Sequence, residues 1–292
     1  MHGVVPAVLA LTAAFLAAVG TVIRKRATGS TGGIDRTWFL GAAVAVGAFV
    51  FQVGALALGT VLLVQPLLAL AVLFELFVQT WWTKHSPSPR QWLYGSAVGG
   101  GVIVFVFFAR PVPARHGRQQ WLLDVVVIGL LIALFLATLI ARRTSGNLSG
   151  VLYGVVAGSL FGIVAVLINS LSEPFPGMQR TVSNPTLYIC IATAIAAIVA
   201  QQSAFTRGAL EASYPAMVAS EPIVAMGLSL VVLGEKLSSH DISSYISVAG
   251  VAVMLVGVIG LAHSEALTET PAHPVPRAHS NPSDREVRQH DR

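Results

Sequence analysis

"YPAMVASEPIVAMGLSLVVL", residues 214–233, decides how the chain is read. About 20 apolar residues are what a helix needs to cross the hydrocarbon core of a bilayer. Yet Glu221 and Pro222 stand side by side in the middle of this run. A charged side chain at that depth costs roughly 2.5–3.5 kcal/mol on insertion scales. A proline there removes one amide hydrogen and crowds the preceding turn. Two costly residues in one place point to a cavity or a partner that meets them.

The rest of the chain sets the same context. Of its 292 residues, 54% are hydrophobic and 11% are charged, where a soluble domain carries about 25% charged residues. Mean hydropathy is +0.74. The charges fall between long apolar runs, the pattern of an all-α polytopic membrane protein. The net charge of +5 and pI near 9.8 therefore read as loop charges that set topology, with no nucleic-acid partner implied. Cys190 is the single cysteine, so there is no disulfide framework and no thiolate metal site. At the N-terminus the basic cluster Arg24, Lys25, Arg26 follows the apolar run, the reverse of a cleaved signal peptide. The first helix is expected to be retained.

Nine spans are expected, at about 3–23, 38–58, 60–82, 91–109, 121–140, 148–169, 186–204, 213–233 and 244–262. One set of loops carries Arg24, Lys25, Arg26, Arg36, Lys84, Arg90, Arg142, Arg143 and Arg207, and the tail adds four more basic residues. The other set carries Arg110, Arg115, Arg118, Arg180 and Lys236. The bias places the C-terminus in the cytoplasm of a cell (plasma or inner) membrane protein. Trp38, Trp81, Trp82, Trp92 and Trp121 all fall at span ends, where interfacial anchors belong. Residues 263–292, rich in Pro, His and charge, read as a disordered cytoplasmic tail.

A weak internal repeat divides the membrane part into 1–110, four helices, and 111–262, five helices. "LVQPLLALAVLFELF" from Leu63 and "ASEPIVAMGLSLVVL" from Ala219 each place a polar residue and a proline early, followed by a short loop and a Gly/Ala-rich span. The expected topology sets the two copies in opposite senses, giving two inverted repeats, an arrangement of many secondary transporters.

On "FQVGALALGTVLLVQPLLALAVLF", "GSLFGIVAVLINS", "AIVAQQSAFTRGALEASYPAMVASEPIV" and "LGEKLSSHDISSYISVAGVAVMLVGVI", the chain resembles the drug/metabolite transporter (EamA-like) superfamily. Within it, the similarity is greatest to the NIPA-type magnesium transporter branch and its bacterial relatives. The resemblance covers nearly everything up to residue 262. It implies a secondary transporter working by alternating access, with Mg2+ as a candidate cargo, and leaves the substrate open because a fold does not set its cargo. A metabolite or drug exporter of the same superfamily and a non-transporting membrane scaffold are the alternatives.

Glu221 and Glu75 are the acidic residues well inside spans. Each reads as a cation or proton site, or as a neutral, hydrogen-bonded lock between helices. Magnesium keeps most of its water and takes one or two carboxylates, so the pair is the candidate metal site. Gln65, Gln79, Gln201, Gln202 and Asn169 are intramembrane amides that either bind a solute or bond neighbouring helices. Gln79 follows Glu75 by one turn. Pro66 and Pro222, each after a polar residue, are expected at corresponding places in the two repeats as hinges. Gly154, Gly158 and Gly162 recur every four residues and are expected to let a neighbouring helix approach closely. Glu235 and Lys236 of "GEKL" read as a solvated span end. No phosphate-binding loop, HExxH or CxxC occurs, and no triad can be assembled, so neither an enzyme nor a bound cofactor is expected. The expected partners are the lipid bilayer and a small-molecule or cation substrate, and a homo-oligomer is compatible with the sequence.

Overall fold

The computed structural model describes residues 3–31, 36–83, 87–109, 111–112, 120–172, 182–207, 210–237 and 242–269. Nine long helices follow in chain order: α1 Val4–Thr31, α2 Arg36–Leu58, α3 Val61–Thr83, α4 Pro89–Ala109, α5 Gln120–Arg143, α6 Gly146–Leu171, α7 Pro185–Arg207, α8 Leu210–Leu228 and α9 Ile242–Glu269. A π-helical turn, Ser229–Leu233, extends α8. Two-residue strands β1 (Pro111–Val112) and β2 (Lys236–Leu237) pair antiparallel. Among the described residues nine helices are long and apolar enough to span a membrane, each overlapping an expected span. The chain is an all-α, multi-pass membrane protein. Helices are the element that satisfies every backbone polar group within hydrocarbon.

One expectation about order is corrected. The chain from residue 263 was expected to be unstructured, yet α9 continues to Glu269. Ala266 and Leu267 favour helix. The tail beyond Glu269 lies outside the described residues, as do Lys84, Arg110, Arg115, Arg118 and Arg180.

The two halves pack in one pattern. In the first, α1 lies along α2 and α3; in the second, α6 lies along α7 and α8. The halves then meet chiefly through α4 against α9, with α3 touching both α8 and α9. Gly101 abuts the backbone of Gly250 and Met254, and Gly257 abuts that of Tyr94 and Val98, so α4 and α9 run antiparallel. α5 packs mainly on α6. It is the peripheral helix, buried along 17% of its apolar window against 78% for α6.

Lipid tails are as apolar as leucine, so close packing has to replace the hydrophobic drive between helices. The α6–α8 seam supplies it. A Cβ on Gly154 would meet the Ser213 carbonyl, one on Gly158 the Met217 carbonyl, and one on Gly162 the Glu221 carbonyl at 2.7 Å. The partner positions advance in steps of four with the glycines, so α6 and α8 run parallel. Helix ends therefore gather at two poles. The turn end holds the α2–α3 connection with the ends of α6 and α8. The tail end holds the starts of α6 and α8 with the end of α9.

Candidate functional site

Two apolar layers, each contributed by α3, α4, α8 and α9, cross the interface between the halves. Nearer the turn end, Leu62, Phe105, Ala109 and Met226 pack together, joined by Val106 and Val251. Nearer the tail end, Val72, Leu76 and Leu261 do the same with Tyr94 and Val218. From Leu62 to Val72 along α3 is about 15 Å, and from Val218 to Met226 along α8 about 12 Å, at 1.5 Å of rise per residue. Both layers thus close a section of the bundle roughly one third to one half of a bilayer core in depth.

Gln65 of α3 and Glu221 of α8 lie within that section. Gln65 is only 2% exposed, and its Nε2 has no hydrogen-bond partner among the described residues. An orphaned buried donor of this kind costs about 1–3 kcal/mol. Glu221 is half-buried. It shares one side of α8 with Val218 and Ala225, at helical spacings of three and four, and Val218 belongs to the layer built on α3. Glu221 of the second half and Gln65 of the first thus share a depth between the two layers. Glu75, 3% exposed, sits at the level of the second layer between Val72 and Leu76, and half-buried Gln79 lies one turn closer to the tail end.

At the turn end, polar bonds hold the α2–α3 connection. α2 stops at Leu58, Gly59 and Thr60 turn the chain, and α3 starts at Val61. Gly59 leaves no room for a side chain, because a Cβ would fall 2.5 Å from that of Pro6. The first amides of a helix have no partner inside it. Here Thr60 Oγ1 accepts from Leu63 N at 3.2 Å. The Glu235 carboxylate takes the other two, Oε1 from Val61 N at 2.8 Å and Oε2 from Leu62 N at 2.9 Å. On the other side of the turn, Asn169 Nδ2 donates to Leu56 O at 2.7 Å and Gly59 O at 2.9 Å.

The π turn aims Glu235. Gly234 follows it with φ 65° and ψ 20°, and the amides of Gly234 and Glu235 both return to Ser229 O. The left-handed conformation is open to glycine at no steric cost. The chain reverses there, so the Glu235 side chain points back at α3. Lys236 and Leu237 then pair with Val112 and Pro111.

A cavity of about 480 Å³ is lined by Asn147 of α6, Ala212, Pro215, Ala216 and Ala219 of α8, and Ile259 and His263 of α9. It reaches along α8 to the level of the second apolar layer, since Ala219 adjoins Val218.

Several expectations change. Glu235 is not solvated: it is 5% exposed and committed to α3, while Lys236 is the exposed member of the pair. Asn169 belongs to the turn end, two residues before α6 finishes, with its Nδ2 engaged by two backbone carbonyls. Gln202 is exposed on the side of α7 opposite the buried Ala197, Ala200 and Ala204, and Gln201 is half-buried beside that face. Neither lies on a helix of the two layers. Pro66 and Pro222 differ in depth, five residues after the start of α3 and twelve after the start of α8. Pro215 is the proline that matches Pro66 in distance from its helix start. Among the described residues no group of three or more His, Cys, Asp or Glu is placed to hold a metal.

No protein-family model matches the chain. An uncharacterized protein of Corynebacterium glutamicum is 28% identical over 274 residues, covering 88% of this chain and 94% of that protein. No solved structure matches.

Proposed function

We propose that the chain is a secondary transporter of the drug/metabolite transporter superfamily, carrying a small cation or cationic solute across the cell membrane by alternating access. One observation carries this reading: two apolar layers, each shared by two helices from either half, bracket a section that holds Gln65 and Glu221. A structural bundle has no use for a buried amide without a partner, whereas a binding section does. The two halves move relative to one another across α3–α4 and α8–α9, opening one layer while the other stays shut. The described conformer has its turn end closed and a cavity at its tail end, which the charge bias assigns to the cytoplasm together with the C-terminus.

Glu221 supplies the charge that selects a cation, and Glu75 lines the way to the cytoplasm. Gln65 presents a donor or, by rotating its amide, an acceptor. Mg2+ with part of its water shell, held by Glu221 and Glu75 in turn, is the first candidate. The donor of Gln65 favours a second, an organic solute with a hydrogen-bond acceptor next to its cationic group.

The test is flux into proteoliposomes containing the full chain. Wild type is expected to move Mg2+ or a cationic metabolite, and Glu221→Gln to lose that flux while eluting as the same monodisperse species. Wild-type rates in Glu221→Gln sink the assignment of the carboxylate. No flux of any cation or metabolite in wild type would favour a scaffold.

A further inference from the structure

We propose that Glu235 and Asn169 form a releasable clasp that holds the turn end of the protein shut. The inference rests on the transporter reading above and names the device that controls one of its two gates.

The geometry supports a latch more than a static brace. Glu235 belongs to the second half and grips the first two amides of α3, which belongs to the first half, across 174 residues of chain. Asn169, also from the second half, grips the end of α2 on the other side of the same turn. Leu62 links the clasp to the gate: its amide is held by Glu235, while its side chain, 1% exposed, is part of the apolar layer with Phe105 and Met226. Moving the α3 terminus away from Glu235 therefore pulls Leu62 out of the layer. The β1–β2 pairing ties the end of α4 to the residues immediately after Glu235.

The bonds are of a kind that can be exchanged. Backbone amides and a carboxylate at a span end are rehydrated once water enters, so the clasp opens by trading protein hydrogen bonds for water. The π turn before Gly234 supplies slack, since such turns hold one residue more than an α-helical turn and recur at functional sites. No substrate contact is needed from Glu235 or Asn169. They act by position.

The experiment uses the full chain in proteoliposomes, with Cys190 replaced by serine and one cysteine added. Met226→Cys reports on the layer at the turn end, Leu261→Cys on the layer at the tail end, and Lys236→Cys marks the side from which a membrane-impermeant maleimide reaches the turn end. Glu235→Gln keeps the size of the side chain and weakens the grip. Asn169→Asp replaces the donor with an acceptor facing two carbonyls. Each is expected to speed labelling at Met226→Cys at least tenfold, with no increase at Leu261→Cys.

Unchanged labelling at Met226→Cys in both variants overturns the clasp. Faster labelling at both reporters also overturns it, because that is general loosening. The tail-end reporter separates the clasp from the mechanism it serves. A fall at Leu261→Cys supports alternating access, whereas an unchanged rate there, with a rise at Met226→Cys, keeps the clasp and sinks alternating access.

Discussion

Glu235 accepts a hydrogen bond from the amide of Val61 at 2.8 Å, so the second half of the chain caps a helix of the first. The helix it caps carries Gln65 about one turn further on and Glu75 nearly four turns beyond its start. The terminus of α3 is thereby set by a residue outside α3. Whatever shifts Glu235 shifts the section in which a solute is proposed to bind.

Asn169 should be intolerant of aspartate. Its Nδ2 satisfies two carbonyls at the end of α2. Alanine removes those bonds at about 1–3 kcal/mol, the cost of buried groups left without partners. Aspartate adds repulsion between oxygens, and its loss is expected to exceed that of alanine. Thermal unfolding in detergent of both variants checks the order.

Gly234→Ala is expected to destabilise by roughly 1–2 kcal/mol, because a Cβ is disfavoured at φ 65°. Relief of that strain turns Glu235 away from α3. The variant should therefore also label faster at the turn end, as Glu235→Gln does. A stability loss without faster labelling would show that the turn and the clasp are independent.

The glycine seam between α6 and α8 gives a contrast within one protein. Gly158→Ala sets a methyl group against the Met217 carbonyl and Ser220, and overpacking of this sort costs about 1–3 kcal/mol. Gly47→Ala and Gly100→Ala, with nothing near the added carbon, should be neutral or stabilising by up to about 1 kcal/mol. Unfolding midpoints of the three variants measure the difference.

Gln65→Leu should raise stability and lower transport together. The substitution removes a buried amide whose Nε2 has no partner, and about 1 kcal/mol or more of desolvation cost goes with it. Flux is expected to fall at least tenfold. A variant that is both more stable and fully active would remove Gln65 from the binding section.

The nine spans, the membrane class and the small-residue faces were legible in the sequence because each depends on local chemistry. A run near 20 apolar residues reports its own length, and a glycine every four residues reports one helical face. The similarity between the stretches from Leu63 and from Ala219 was misleading in register. Pro66 and Pro222 look equivalent in the aligned stretches, yet α3 has five residues before its proline and α8 has twelve.

What stayed hidden is which way a side chain points. A spanning helix is apolar all round, so its hydrophobic pattern carries little information about the face that meets the bundle. Gln201 and Gln202 are neighbours of the same chemistry, and only packing against α6 made one half-buried and left the other exposed. Glu235 was misread for the opposite reason. A glutamate after a span looks solvated, and nothing local to "GEKL" announces that the open amides of Val61 and Leu62 lie beside it. The sequence by itself determined which runs are long and apolar enough to cross a membrane and where costly residues sit along them. The tertiary structure decided which of those residues lie at one depth between two apolar layers and which bond the α2–α3 turn, since both depend on contacts between segments more than a hundred residues apart.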